Sequence, residues 1–316
     1  MSANTSKIKR KNTLIDEIAR NKYLYLLTLP GIIFLLIFNY LPMIGLYIAF
    51  IDYNAMAGWF GLKSKFVGLD NFVFFFSSGD WLHITYNTIF LNALFIVSGL
   101  IVQIFMAIGL NEVAGKAFKK TAQSFMFLPN FLSWTVVSIF SIALFSTDAG
   151  VINNVLTGIG LHPINFYQDA SYWPIILVFL KLWKGVGFGT VIFLATITSM
   201  DQEMFEAAKI DGASRFQSII YLTVPMLKMT AIMLFILSVG SIFYGDFGMI
   251  YALIGDNPLL RPTTDVIDTY VYRALRMNND IGMSSAVGMF QAVVGFILVI
   301  SVNAVTRKLS KDSALF

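Results

Sequence analysis

Residues Met204–Pro225 read MFEAAKIDGASRFQSIIYLTVP, a polar, charged stretch lying between two strongly apolar ones. From Glu203 to Ile210 the residues are mostly good helix formers. Acidic residues near the start suit a helix N-terminus, and Gly212 can supply the left-handed residue that ends the helix. Ala207 and Ala208 leave a slim surface on which another protein can approach closely. Pro225 fits the first turn of the apolar helix expected next, where its missing N–H costs little. The spacing is ordered: Glu206-Ala207-Ala208, three residues, Gly212, nine residues, then Leu222-x-Val224-Pro225. An ordinary solvated loop between membrane helices would want no such pattern.

The rest of the chain sets the context of that stretch. Of 316 residues, 57% are hydrophobic and only 13% charged, against ~25% charged in a typical soluble domain. Mean hydropathy is +0.73. Thirty Phe and fourteen Met fit a lipid-facing exterior, so the composition is that of an all-α polytopic membrane protein. With no cysteine there is no disulfide framework and no Cys-ligated metal site. His83 and His162 lack the partners that would suggest zinc and read as surface or interface residues. No G-x-x-x-x-G-K-[ST] occurs, so the chain carries no phosphate-binding machinery and hydrolyses nothing itself. Gly185, Gly187 and Gly189 fall inside an apolar run rather than after a strand, which points to close helix packing.

In chain order, Met1–Lys22 is a basic tail and Leu24–Phe50 the first apolar run, exceeding the ~20 residues that span a hydrocarbon core. It is too long for a signal peptide, lacks a small-x-small cleavage site and is followed by further spans, so it is expected to be retained. An external loop, Ile51–Leu82, follows; its aromatics at Phe72–Phe76 and Trp81 read as an interfacial belt. Further spans are expected at Ile84–Leu110, Thr121–Phe145, Trp173–Met200, Met226–Tyr244 and Gly282–Thr306, giving six transmembrane helices and a tail from Arg307 to Phe316. The units are then the tail 1–22, the first helix with its loop 23–82, a core 83–306 that holds the segment 204–225, and the tail 307–316.

A cytoplasmic N-terminus would leave fifteen cations on the inner side, in both tails, Asn111–Lys120 and the 204–228 region, against five on the outer side. That bias makes both termini and the Met204–Pro225 stretch cytoplasmic. It also assigns the net charge of +4 to topology rather than to nucleic acid. In the last outer loop, Val266, Ile267, Tyr270, Val271, Ala274 and Leu275 recur at helical spacing. Thr263 or Thr264 is expected to cap that helix, with Asp265 in its first turn. It either packs on the membrane surface or meets an extracytoplasmic partner through Asp265, Asp268, Tyr270 and Arg273.

The ordered spacing resembles the EAA loop of ATP-binding-cassette importer permeases, with Leu222 and Val224 standing for the usual Ile and Leu. The resemblance covers most of Pro30–Lys308, through segments such as FMFLPNFLSW, WKGVGFGTVIFLA and DVIDTYVYR. It is to the type I, MalF-like, binding-protein-dependent sugar permeases, and within them the LplB-type polysaccharide subgroup. The resemblance implies a type I transmembrane domain with a cytoplasmic coupling helix carrying Glu206, Ala207, Ala208, Asp211 and Gly212. It implies, as partners, a second permease subunit, two ATPase subunits that bind ATP and Mg, and an extracytoplasmic solute-binding protein. The chain itself would hold no cofactor and would sit in a bacterial cytoplasmic membrane, importing an oligosaccharide by alternating access. The short Ile51–Leu82 loop departs from MalF, which carries a large extra domain there.

Polar and aromatic groups at membrane depth are expensive in lipid and are the candidates for the solute pathway. They are Asn39, Asn87, Asn92, Gln103, Asn130, Trp134, Lys181, Trp183, Lys184, Tyr244 and Gln291. Each also reads as an interhelical hydrogen bond or an interfacial anchor. Lys181 and Lys184 would suit a carboxylated, uronate-containing sugar. A permease for amino acids or another small solute shares the EAA loop and remains open. A secondary transporter would want intramembrane carboxylates, for which only Asp246 and Glu112 offer themselves, and a membrane enzyme would want a His, Asp or Glu cluster.

Overall fold

The computed structural model describes residues 20–58, 61–77 and 79–309. The basic N-terminal tail as far as residue 19, and the C-terminal tail from residue 310 with Lys311, lie outside them. Helix α1 (Lys22–Phe50) leads through a two-stranded antiparallel ladder, β1 (Ile51–Asp52) with β2 (Lys65–Phe66), to α2 (Asp70–Ser77). Then follow α3 (Trp81–Glu112), α4 (Lys116–Phe127), α5 (Trp134–Phe145), α6 (Val151–Gly158), α7 (Trp173–Thr198) and α8 (Gln202–Ile210). The chain closes with α9 (Arg215–Val239), α10 (Phe247–Ile254), α11 (Ile267–Asn278) and α12 (Ile281–Leu309). Among the described residues, α1, α3, α7, α9 and α12 are long and apolar enough to cross a membrane. A sixth crossing results if Lys116–Phe131 and Trp134–Phe145 serve as one span.

That pair corrects the expectation of a continuous third span over Thr121–Phe145, because its halves meet at 100°. Pro129 has no N–H to contribute to a helix ladder. Leu132 is extended, and Ser133 restarts the helix by accepting the Val136 N–H at 3.3 Å. The fifth span also differs. It begins at Arg215 rather than Met226, so Pro225 lies well inside α9. The helix widens into a π turn over Ile219–Thr223, immediately before the proline. The wider turn relieves the missing donor and the ring clash. The same device precedes Pro42 in α1, at Leu36–Tyr40. Met204–Pro225 is therefore most of α8, a tight turn, and the first turns of α9.

The bundle is built around α3 packed along α7, with α9 against both and against α12. Two glycines of the expected packing motif make close crossings of α7 possible, Gly187 with α4 and Gly189 with α3. A Cβ on Gly187 would fall 2.2 Å from the Met126 carbonyl oxygen, and one on Gly189 would fall 2.1 Å from Gln103 Cδ. Gly185 faces open space. One core, with Leu91, Trp173, Leu177 and Met249, joins α3, α5, α7 and α10. A second, with Ala107, Phe193, Ile197 and Leu227, lies toward α8. A third gathers Phe75, Ile84, Ile267 and Met283. Phe75 is thus interior, ringed by Tyr270 and Phe290, so the aromatic run of α2 is not simply a surface belt. Helix α1 is exposed along most of its length and packs on α12 chiefly through Leu41–Phe50.

Helix α11 forms where the periodicity predicts, with Val266 and Ile267 fully buried. Its start is later than expected. The Val266 N–H is held by Thr269 Oγ1 at 3.0 Å, whereas Thr264 Oγ1 donates back to Leu260 within the preceding turn, Arg261–Thr264. Asp265 consequently precedes the helix instead of lying in its first turn.

Candidate coupling surface and transport cavity

Helix α8 is closed at both ends by its own sequence. Asp201 caps it by accepting the Glu203 N–H at 2.9 Å. At the other end the Ala213 N–H reaches the Ala208 carbonyl at 2.9 Å and the Gly212 N–H reaches that of Lys209 at 3.2 Å. These are the two bonds of a Schellman motif, which needs a left-handed residue, and Gly212 has φ +83°. Ser214 then opens α9 with a capping box: its hydroxyl accepts the Gln217 N–H while the Gln217 side chain accepts the Ser214 N–H at 2.8 Å.

Glu206, Ala207, Asp211 and Gly212 are exposed and Ala208 half-buried. Apolar side chains stand out beside them, with Ile210 85% and Phe216 70% exposed, a surface this chain leaves uncovered. The opposite side of α8 is anchored. Phe205 packs into the core that holds Phe193, Ile197 and Leu227, which links the helix to the ends of α3, α7 and α9. Phe205 was not singled out in the sequence, although it lies immediately before Glu206 and is the apolar residue facing the bundle. A polar cavity of about 500 Å³ beside it is lined by Glu112, Gln202, Lys209 and Arg215, among others.

A second cavity, of about 320 Å³, opens between α3, α7 and α9. It gathers three of the pathway candidates, Asn92, Gln103 and Lys181, with Ser238, Ser241, Phe95 and Phe188. Asn92 Nδ2 also ties α3 to the end of the fifth span through the Ile242 and Tyr244 carbonyls, each at 3.0 Å. Ser238 and Ser241 are additions to the sequence candidates; their hydroxyls donate to Leu234 and Ser238 carbonyls. Lys181 is ion-paired with Asp246, whose other oxygen caps α10 by accepting the Met249 N–H at 3.1 Å. Next to Lys181 stand Asn130, Trp134 and Lys184. Lys184 Nζ donates to the Asn130 carbonyl at 2.9 Å and lies 5.4 Å from the Trp134 ring centre.

The remaining candidates are elsewhere. Asn87 is buried and donates to the Pro262 and Asp265 carbonyls. Gln291 is buried and donates to the Phe243 carbonyl at 2.7 Å and to Asp268. Both act as internal ties. Asn39 is exposed on α1, Trp183 borders an apolar groove with Leu132 and Phe140, and Tyr244 is exposed near the end of the fifth span. On the outer segment, Asp265 is held bidentately by Arg273 and accepts the Thr269 hydroxyl. Asp268 accepts the Gly245 N–H at 2.6 Å, and burial raises its carboxyl above the usual range. These carboxylates face inward. The outward side of α11 is Leu275, Arg276 and Met277. Tyr270 and Arg273, together with Asp265, line an outer hollow of about 470 Å³ with Asp80, His83 and Arg261.

Spans around a polar mid-depth cavity, with an anchored yet exposed helix at one end, define a polytopic transport subunit of the type I ABC permease fold. Residues 99–311 match the binding-protein-dependent transport system inner membrane component family, and the chain belongs to that family. It is therefore a transport component and not an enzyme. It is 38% identical over 293 residues to protein LplB of Bacillus subtilis (strain 168), covering 93% of this chain and 91% of LplB. It is 37% identical over 306 residues to the polygalacturonan/rhamnogalacturonan transport system permease protein YteP of the same organism, covering 97% and 94%. Its fold is similar to that of a chain of a bacterial ABC transporter involved in the import of the acidic polysaccharide alginate. There the TM-score is 0.83 and identity 34%, with 94% of this chain and 99% of that one covered. A bacterial alginate ABC transporter in complex with its alginate pentasaccharide-bound periplasmic protein matches equally, at TM-score 0.83 and 33% identity over 93% and 97%.

Proposed function

We propose that this chain is one of two permease subunits of an importer that takes oligosaccharides, uronate-containing ones included, from an extracytoplasmic binding protein into a bacterial cell. The mid-depth cavity of Asn92, Gln103 and Lys181 between α3, α7 and α9 carries the reading. It offers hydrogen-bonding groups, which are expensive on a lipid-exposed surface, beside the aromatic faces of Phe95 and Phe188. Relatives named for polygalacturonan and alginate transport support a carbohydrate solute over an amino acid.

In this reading both termini and α8 are cytoplasmic, in keeping with the distribution of Lys and Arg. Two partner ATPase subunits bind ATP and Mg, and one of them receives α8 in a cleft. Glu206 supplies a charged contact, Ala207 and Ala208 allow close approach, and Ile210 and Phe216 bury their exposed surface. When the ATPases close, α8 moves, and Phe205 passes that movement to the ends of α3, α7 and α9. The cavity then opens alternately to the two sides. The test is ATP hydrolysis by the reconstituted complex with and without loaded binding protein. Glu206→Ala should assemble yet lose most of the receptor-dependent stimulation, and full stimulation in that variant would refute the coupling role of α8.

A further inference from the structure

The two lysines of α7 are not equivalent. Lys181 is neutralised within this chain by Asp246, and Asp246 is fixed by its second task as the cap of α10. At the distance of a bound sugar the pair acts as a dipole rather than as a positive charge. Lys184, one turn further on, has no carboxylate within ion-pair distance among the described residues. Its ammonium donates to the neutral Asn130 carbonyl, which uses one of three donors and orients the others.

Lys184 also sits at the middle of the span Ala170–Thr198. The headgroups are roughly 15 Å away from the centre of a hydrocarbon core. A lysine stem reaches only about 6 Å, so snorkelling does not release this charge. The structure provides neighbours suited to a ligand instead. The Trp134 ring lies 5.4 Å from Nζ, and no atom approaches within 4 Å of where a Cβ on Gly185 would stand. Lys181 stands between this corner and the neighbouring cavity: its Nζ lies 6.0 Å from the Trp134 ring centre, and its side chain lines the cavity of Asn92 and Gln103.

We infer that Lys184, and not Lys181, is the residue of this chain that reads solute charge, its ammonium meeting a sugar carboxylate beside the Trp134 ring. The inference rests on the oligosaccharide reading above and adds a specificity-determining residue to it. Lys181 and Asp246 hold the cavity wall together and are indifferent to the charge of the solute.

The test uses the full complex with its own partner permease, ATPases and binding protein in liposomes. Uptake kinetics are measured for a short oligogalacturonate and for its carboxyl-reduced, neutral counterpart. The readout is the ratio of kcat/KM for the acidic to the neutral sugar, in which the preference of the unchanged binding protein cancels between variants. Lys184→Gln should lower this ratio at least about 10-fold, the loss expected for a charge-assisted hydrogen bond. Lys184→Arg should restore most of it. Lys181→Gln combined with Asp246→Asn, which removes the pair without leaving a lone carboxylate, should slow both sugars together and leave the ratio within about 2-fold. An unchanged ratio in Lys184→Gln overturns the assignment, the sugar carboxylate then being met by a group other than Lys184. If Lys184→Gln fails to assemble, a Lys184→Arg complex that assembles with a wild-type ratio supports the inference, and one with a collapsed ratio overturns it. A wild-type complex that imports only the neutral sugar overturns the acidic-solute reading and the assignment together, whereas a wild-type complex that imports the acidic sugar and a Lys184→Gln complex with the same ratio overturn the assignment alone.

Discussion

Replacing Gly212 by alanine isolates the backbone geometry that ends α8. The residue has φ +83°, and a Cβ built there meets no atom within 4 Å. Steric crowding from neighbours is therefore absent, and the cost is that of holding an L-residue in the left-handed region, about 1–2 kcal/mol. The chain can avoid that strain only by giving up the two bonds at 2.9 and 3.2 Å that close the helix. Because this turn is exposed, water takes over the freed carbonyls, so unwinding is itself inexpensive. Either route lowers the population of the docking-ready helix end by about 5- to 30-fold. Receptor-stimulated ATP hydrolysis in the assembled complex should fall by a comparable factor in Gly212→Ala. Gly212→Asn should stay close to wild type, because asparagine enters the left-handed region readily. Equal loss in the two variants would mean that the missing side chain matters and not the backbone. Wild-type stimulation in both would refute the argument that a fixed helix end transmits the movement.

Two further substitutions test the packing and the outer segment. Gly187→Ala drives a methyl against the Met126 backbone, which cannot yield without separating α4 from α7, and should cost about 1–3 kcal/mol or more; Gly185→Ala meets nothing and, inside a helix, should hold or raise thermal stability by up to about 1 kcal/mol, so equal melting of the two variants would contradict the close crossing. Asp268 has a raised carboxyl pKa because burial outweighs the hydrogen bonds from the Gly245 N–H and Gln291. With the folded value above the unfolded one, its contribution to stability is full in acid and lost as pH rises through the folded value. Acidifying from about pH 7 toward the ordinary carboxylate range should therefore stabilise the wild type more than Asp268→Asn, and a thermal-unfolding comparison with the opposite sign would refute this.

What the sequence makes legible here is what it encodes within a few turns. The closing of α8 depends on residues from Asp201 to Gln217, each acting on a neighbour two to five positions away, so its helix and its glycine can be read directly. Hydropathy likewise finds the spans, because a lipid-facing exterior is a property of each segment alone. The bend at Pro129 and the π turn before Pro225 were harder, since a proline states that the ladder must change without stating how. Most demanding was the sorting of polar groups at membrane depth. Asn87 and Asn92 are five residues apart on one helix and chemically identical. One is buried against the Pro262 and Asp265 carbonyls, while the other borders a cavity, and the difference is set by segments some 150 or more residues later. The two lysines repeat the point, because Asp246 arrives beside Lys181 and, among the described residues, no carboxylate pairs with Lys184. A carboxylate 65 positions away decides which of the two lysines is ion-paired among the described residues, and so the electrostatics of such a cavity are written in its tertiary contacts before they are written in any motif.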